Sequence, residues 1–303
     1  MLSGISALCA GLAMLVSAVA AAREQVRIGL IDLSLERLEV SDIPSVTVRM
    51  LSFWSTGTVP ATRQSKKNKR NHSAEMLHTA AAAFRAADPA TPLEVYVAAP
   101  FRQDPSTGAL TLYGDELELA YAWFARNGVK LVGETFVGPD TEMQRAAIGR
   151  AAELGLVVFA SAGNGPRHNS VPPYPASYDE AISISTTQLA DELSREQERD
   201  TYVDFSVAPR LLSPMAYRQD PELESLLGSS AATATALGLT AAVEASWPIT
   251  GRDATIAALA CISEAPERLT AGKAWGRGVL SVASVTARLA AARGAASPCS
   301  KPV

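Results

Sequence analysis

Charge is scarce in this chain and carries both signs: 19% of its 303 residues are charged and the net charge is −4. That balance argues against nucleic acid as the main partner and leaves a neutral polymer such as a polypeptide open. Internal repeats and linkers are also missing. With 48% apolar residues the chain has enough material for a full core and is expected to form one large α/β domain. Glycine is absent where a nucleotide site would need it, because Asp32-Leu33-Ser34-Leu35 follows the first strand-like run without a phosphate loop. Cysteine is limited to three residues, of which Cys9 lies in the apolar N-terminal segment. Cys261 and Cys299 leave two alternatives open: a bridge from the last core helix to the C-terminal tail, or Cys261 as a small buried hydrophobe.

Residues 1–22 lack any charged side chain and end in Ser17-Ala18-Val19-Ala20-Ala21-Ala22. This is the pattern of a signal peptide with an A-x-A cleavage site, although no Lys or Arg precedes the apolar run. An uncleaved anchor is the competing expectation, since the run is long enough to span a bilayer. The organisation expected is therefore a signal peptide or anchor over residues 1–22, then one domain over 23–303, exported to the periplasm or the extracellular space.

Beyond that segment, Gln25 to Asp32 reads as a short strand ending in a carboxylate. Residues 33–71 read as a variable stretch closing in the basic run Arg63 to Arg70, expected as a solvated loop. The alanine-rich segment from Ser73 to Ala87 is strongly helix-forming. Strand Leu93 to Ala99, helix Gly114 to Asn127, strand Lys130 to Phe136, helix Thr141 to Leu154 and strand Leu156 to Ala160 then alternate, with a further strand at Ala181 to Ser185. Such alternation predicts a doubly wound, mainly parallel sheet flanked by helices. Ser229 to Ala245 is almost entirely Ala, Leu, Thr, Val and Gly, the composition of a helix buried on every side. Arg252 to Ala265 and Val279 to Ala292 complete the domain.

Three short segments then stand out in order: Asp32 ending the first strand, Asn71-His72-Ser73 opening the first helix, and Gly228-Ser229-Ser230 opening the buried one. Asp, His, Ser is one of the known chain orders of a nucleophilic triad. A fourth segment, Leu156 to Asn164 (LVVFASAGN), runs a buried strand into a small-residue turn and an Asn, and Tyr174 to Tyr178 (YPASY) follows. His72 lies 40 residues after Asp32, Asn164 lies 92 after His72, and Ser230 lies 66 after Asn164. In these motifs (IGLIDLS, NHSAEML, SAGNG, YPASY, LLGSSAATA) the chain resembles the subtilase family of serine peptidases, from about Val26 to Leu289.

The resemblance implies a subtilisin-like fold and an exported endopeptidase that acts through an acyl-enzyme. Ser230 would be the nucleophile, His72 its general base, and Asp32 the group that fixes the His tautomer. Ser230 at a helix N-terminus would offer its own N–H to the developing oxyanion, and Asn164 a second donor from its side-chain amide. Substrate would lie as an extended strand between Thr135, Phe136, Val137 and Gly138 on one side and Ser161, Ala162 and Gly163 on the other. No cofactor is expected. A metal site at His72, Glu75 and His78 is disfavoured because helix positions i and i+6 point to different sides. His168 is expected to be solvent-exposed.

The chain also departs from the family pattern. Leu33 and Ser34 follow Asp32 where a hydroxyl residue and Gly are usual, so a hydroxyl that orients the Asp is missing from that place. Ser73 and Ala74 replace Gly and Thr after the His, and Ala231 and Ala234 replace Met and Pro after the Ser. With residues 1–22 as the export segment, no folding-assistant propeptide is expected before Asp32. These departures favour the alternative function, a catalytically degenerate subtilase fold serving as a peptide-binding or interaction protein. The intact Asp32, His72, Asn164 and Ser230 favour the enzyme.

Overall fold

The first strand, β1 (Val26–Ile31), lies inside an eight-stranded sheet whose pairings are all parallel. A computed structural model describes residues 24–33, 46–51, 72–103, 106–107, 110–164, 172–187, 202–207, 228–264, 276–292 and 299. The expected signal segment with Cys9, the basic run 63–70 and His168 lie outside the described residues. Along the chain follow β2 (Val46–Leu51), α1 (His72–Ala87), β3 (Leu93–Ala98), the hairpin strands β4 (Phe101–Gln103) and β5 (Leu110–Leu112), α2 (Gly114–Arg126) and β6 (Leu131–Glu134). Then come α3 (Glu142–Glu153), β7 (Val157–Ser161), β8 (Ala181–Thr186), β9 (Phe205–Val207), α4 (Ser229–Ser246), α5 (Arg252–Ile262), β10 (Val279–Leu280) and α6 (Val282–Ala291). The strand order is β10-β9-β8-β7-β6-β1-β3-β2. The fold is the expected one: a single domain with a parallel sheet covered on both faces by helices.

That order places a switch point between β1 and β6. The chain winds from β1 toward β3 and β2 on one side, and from β6 toward β10 on the other. Where two such halves diverge, the carboxyl ends of the strands leave a crevice. Ile31 is in register with Glu134, so the next residues, Asp32 and Thr135, stand side by side at its mouth.

The two faces of the sheet are packed differently. On one face lie α1, α4, α5 and α6, and the side chains between helices and strands are largely Ala, Val, Leu and Ile. The helix α4 is buried from Ala231 through Val243, as its composition predicts, because it lies between α1 and the strands β6, β7 and β8. Gly238 is required here: a Cβ at this position would sit 2.1 Å from the carbonyl oxygen of Ala80 in α1. Small residues therefore let two helix backbones meet, and both helices carry a candidate catalytic residue in their first turn. On the opposite face, α2 and α3 pack through larger side chains, including Tyr96, Tyr121, Phe124, Phe136 and Tyr178.

Four features of the fold differ from the sequence expectation. Part of the variable stretch is β2, in which Val46 and Val48 pack against the core while Met50 is exposed. Phe205–Val207 forms β9, too short for periodicity to reveal. The closing segment Val279 to Ala292 is divided: Val279 and Leu280 pair as β10, and Ser281 then caps α6 by accepting from the Ser284 N–H at 3.0 Å. The segment Arg252 to Ala265 is helical only as far as Ile262, since Ser263 is extended and Glu264 bridges to Val279. Cys261 and Cys299 form a disulfide, with Cα atoms 5.6 Å apart, so the first of the two alternatives holds.

Candidate active site

Asp32 continues the β1 ladder by donating its N–H to Ala98 O at 3.1 Å, and it is fully buried. A buried carboxylate needs donors around it. Its Oδ1 accepts from Leu33 N at 2.5 Å, and its Oδ2 accepts from the Thr135 hydroxyl at 2.5 Å. His72, the first residue of α1, donates from Nδ1 across both oxygens at 2.8 and 2.9 Å. A carboxylate only accepts, so Nδ1 carries the proton and the neutral imidazole leaves Nε2 as an acceptor. Burial works to lower the His72 pKa, yet the hydrogen bond and charge of Asp32, with a smaller contribution from Glu75, leave it raised above the ordinary histidine value.

Ser230 occupies the second position of α4 and is partly buried. Its hydroxyl donates to the backbone carbonyl of Thr135 at 2.9 Å. Among the described residues no hydrogen bond links Ser230 to His72. The structure thus joins Asp32 to His72 and to Thr135, and Thr135 to Ser230. The serine–histidine leg of a triad requires Ser230 to turn from the carbonyl toward Nε2, a side-chain rotation of the kind that accompanies substrate binding.

Asn164 follows β7 in an exposed turn, and its side chain lies across the start of α4. Its Oδ1 accepts from Ser229 N at 2.7 Å and from Ser229 Oγ at 2.9 Å. The backbone donor fixes which end of the amide is oxygen, and Nδ2 makes no hydrogen bond among the described residues. Gly228 makes room for this arrangement, since a Cβ there would come within 2.9 Å of Oδ1 and 3.0 Å of Nδ2. The Ser230 N–H belongs to the first turn of α4 and lacks an intrahelical acceptor. Two N–H donors therefore stand uncommitted at the positive end of a buried helix.

The residues expected to flank a substrate have different surroundings. Thr135 is almost fully buried and has just been placed between Asp32 and Ser230. Phe136 is buried, its ring edge-on to Phe101 at 4.9 Å, and Val137 is exposed. Gly138 already pairs with Tyr174 through both backbone groups, at 2.8 and 3.2 Å, so it is not an open edge for a peptide. On the other side, Ser161 turns its hydroxyl to Thr233 at 3.1 Å. The N–H of Ala162 goes to Ile184 O at 2.9 Å and that of Gly163 to Ser229 Oγ at 3.1 Å. Neither N–H is left for a substrate carbonyl.

Sequence reasoning overlooked two residues. Ser229 bridges Gly163 and Asn164 through one hydroxyl, and its only signal was a doubled serine at a helix start. Glu134, next to Thr135, is wholly buried and accepts from the Tyr121 hydroxyl, while its Oε2 has no partner. Burial raises its pKa to about 7, against a smaller lowering by the Tyr121 bond.

Known proteins agree with this architecture. Peptidase S8, the subtilase family, matches residues 42–276, a span that includes His72, Asn164 and Ser230 and begins after Asp32. No curated protein sequence matches the chain. Among solved structures, the prenylagaramide maturation protease PagA is 13% identical with a TM-score of 0.51, covering 86% of this chain and 92% of that one. The PatG macrocyclase in complex with peptide is 16% identical with a TM-score of 0.54, covering 86% and 90%. The epidermin leader peptide processing serine protease EpiP from Staphylococcus aureus is 14% identical with a TM-score of 0.56, covering 86% and 75%. At such identities the structures speak to the fold, and the match over residues 42–276 speaks to descent: the chain belongs to the subtilase family.

Proposed function

We propose that this chain is an exported serine endopeptidase that cleaves a polypeptide through an acyl-enzyme. The observation that carries it is the hydrogen-bonded Asp32–His72 pair, joined to Ser230 through Thr135, with the Ser230 N–H and Asn164 Nδ2 uncommitted at the head of α4. In the reaction, Ser230 Oγ turns to His72 and attacks the scissile carbonyl carbon while Nε2 takes its proton. Asp32 stabilises the imidazolium that forms. The carbonyl oxygen becomes an oxyanion, to which the two uncommitted donors are offered. The C–N bond then breaks, His72 returns the proton to the leaving amine, and the acyl group remains on Ser230. A water molecule deprotonated by His72 attacks the ester, releases the carboxylic acid and restores the serine.

Family descent supports peptidase chemistry. The names of PagA and EpiP describe maturation and leader-peptide processing, which supports a polypeptide substrate here. The Cys261–Cys299 bond is of the kind that persists in oxidising compartments, which supports export together with the apolar residues 1–22. The alternative, a peptide-binding protein that has lost catalysis, draws on one observation: the Ser230 hydroxyl is committed to Thr135 O and not to His72. A fluorophosphonate probe separates the two. The purified protein should be labelled at Ser230 alone and Ser230→Ala should not be labelled. A folded wild-type protein that stays unlabelled sinks the peptidase reading in favour of the binding one.

A further inference from the structure

Leu33 poses a chemical problem that the fold answers elsewhere. The side chain after Asp32 is apolar and packs with the large-residue cluster on the α2 side, so it offers Asp32 only a backbone N–H. Without another donor, Oδ2 of a wholly buried carboxylate would hold just its share of the bifurcated His72 bond at 2.9 Å. A carboxylate held on one oxygen is free to rotate about Cβ–Cγ, and the imidazole it orients would follow.

We propose that Thr135 is a positioning residue for the Asp32–His72 pair, its hydroxyl supplying from just beyond β6 the donor that Leu33 cannot supply from just beyond β1. The inference rests on the peptidase reading for its kinetic consequences, but its geometry stands alone. The register Ile31 with Glu134 brings Thr135 beside Asp32, and the Thr135 N–H returns to Ile31 O at 3.3 Å, fixing the backbone. Two acceptors lie near the hydroxyl: Asp32 Oδ2 at 2.5 Å and Ile31 O at 3.4 Å. The shorter bond is also the one to a charged group, so the single proton goes to the carboxylate. A β-branched side chain, 1% exposed, has little freedom to leave that rotamer. The carbonyl of the same residue accepts from Ser230, so one residue of the sheet touches both ends of the catalytic set.

This role is distinct from lining the substrate, and substitution separates the two. Thr135→Val keeps the shape and the carbonyl but removes the hydroxyl proton, whereas Thr135→Ser keeps the proton. Thr135→Ala is a second hydroxyl-free variant should Val impair folding. Two readouts are compared: the downfield proton NMR signal of His72 Nδ1–H, and kcat and KM on a peptide ester. Val and Ala should shift or broaden the signal and lower kcat about 10- to 100-fold, with KM within about threefold of wild type. Ser should preserve both. An unaltered signal in folded Val and Ala proteins overturns the proposal, as does a common rise in KM across all three variants. If wild type lacks activity yet the signal responds to Val and not to Ser, the positioning role stands and the peptidase reading fails.

Discussion

The two faces of the central sheet solve the same packing problem with opposite materials. Where α1 meets α4 the closest contact is made by Ala80, Ala83 and Gly238, and the helix backbones come together. Beneath α2 and α3 the contacts are made by aromatic rings and long side chains, and a buried acid is accommodated among them. Small residues fix a distance because nothing in the contact can rotate out of the way. Large ones fill volume and keep some capacity to adjust. His72 and Ser230 lie in the first turns of the two closely packed helices, so the placement of the candidate catalytic residues depends on the small-residue face. The other face meets the same strand ends one residue earlier, at Ile31 and Glu134.

The most severe substitution on the closely packed face is Gly238→Val. Its first added carbon falls 2.1 Å from a backbone oxygen, a clash that no side-chain rotation relieves, so α1 and α4 must separate. Destabilisation of about 4 kcal/mol is expected, at the upper end for overpacking, together with loss of fluorophosphonate labelling in whatever protein still folds. Urea titration and labelling in parallel test this. A variant with normal stability and normal labelling would show that the helix contact does not set the site.

The opposite face is tested by pH. Glu134 has a folded pKa of about 7 against an ordinary 4.5. The folded protein therefore holds a proton that the unfolded chain has released between those values. The stability contributed by that proton is complete below about pH 4.5 and is lost as pH rises through 7. The difference amounts to roughly 3 kcal/mol. Glu134→Gln retains an acceptor for the Tyr121 hydroxyl and does not ionise. Relative to wild type it should gain stability on going from pH 4.5 to 8, measured by denaturant unfolding at each pH. Parallel pH profiles for the two proteins would mean that the acid does not titrate in this window.

Much of the small-residue face was legible in the sequence, and the reason is physical. An unbroken Ala-rich run such as Ala80 to Ala83, or Ala231 to Ala242, has one stable use in a domain of this size, as helix against helix. The motifs at the heads of those runs then named His72 and Ser230. Asp32 was legible because strand ends at a sheet's carboxyl edge collect reactive groups. What stayed hidden depended on register. Nothing local in Gly133-Glu134-Thr135 tells that its hydroxyl meets Asp32, because that contact exists only once β1 and β6 are aligned. The same holds for Gly138, whose pairing with Tyr174 closes an edge that the motif alone left open. Short strands such as β9 were hidden because three residues carry too little pattern.

The finest test of the small-residue face is Ser229, buried at the head of α4. Its hydroxyl donates to Asn164 Oδ1 at 2.9 Å and accepts from Gly163 N at 3.1 Å, so one oxygen ties the turn after β7 to the helix that carries Ser230. In Ser229→Ala the backbone N–H of residue 229 still reaches Asn164, and the carboxamide keeps one anchor of two. The Gly163 N–H, however, loses its acceptor. The expected result is a fall of about tenfold in kcat, or about 1.4 kcal/mol in the barrier, with KM nearly unchanged because the substrate's own contacts are untouched. The His72 Nδ1–H signal should not move, since Ser229 makes no bond to Asp32 or His72. A shift of that signal in Ser229→Ala would mean that the head of α4 and the Asp32–His72 pair are coupled through packing. The tight face would then transmit disturbance along both helices, beyond fixing where they begin.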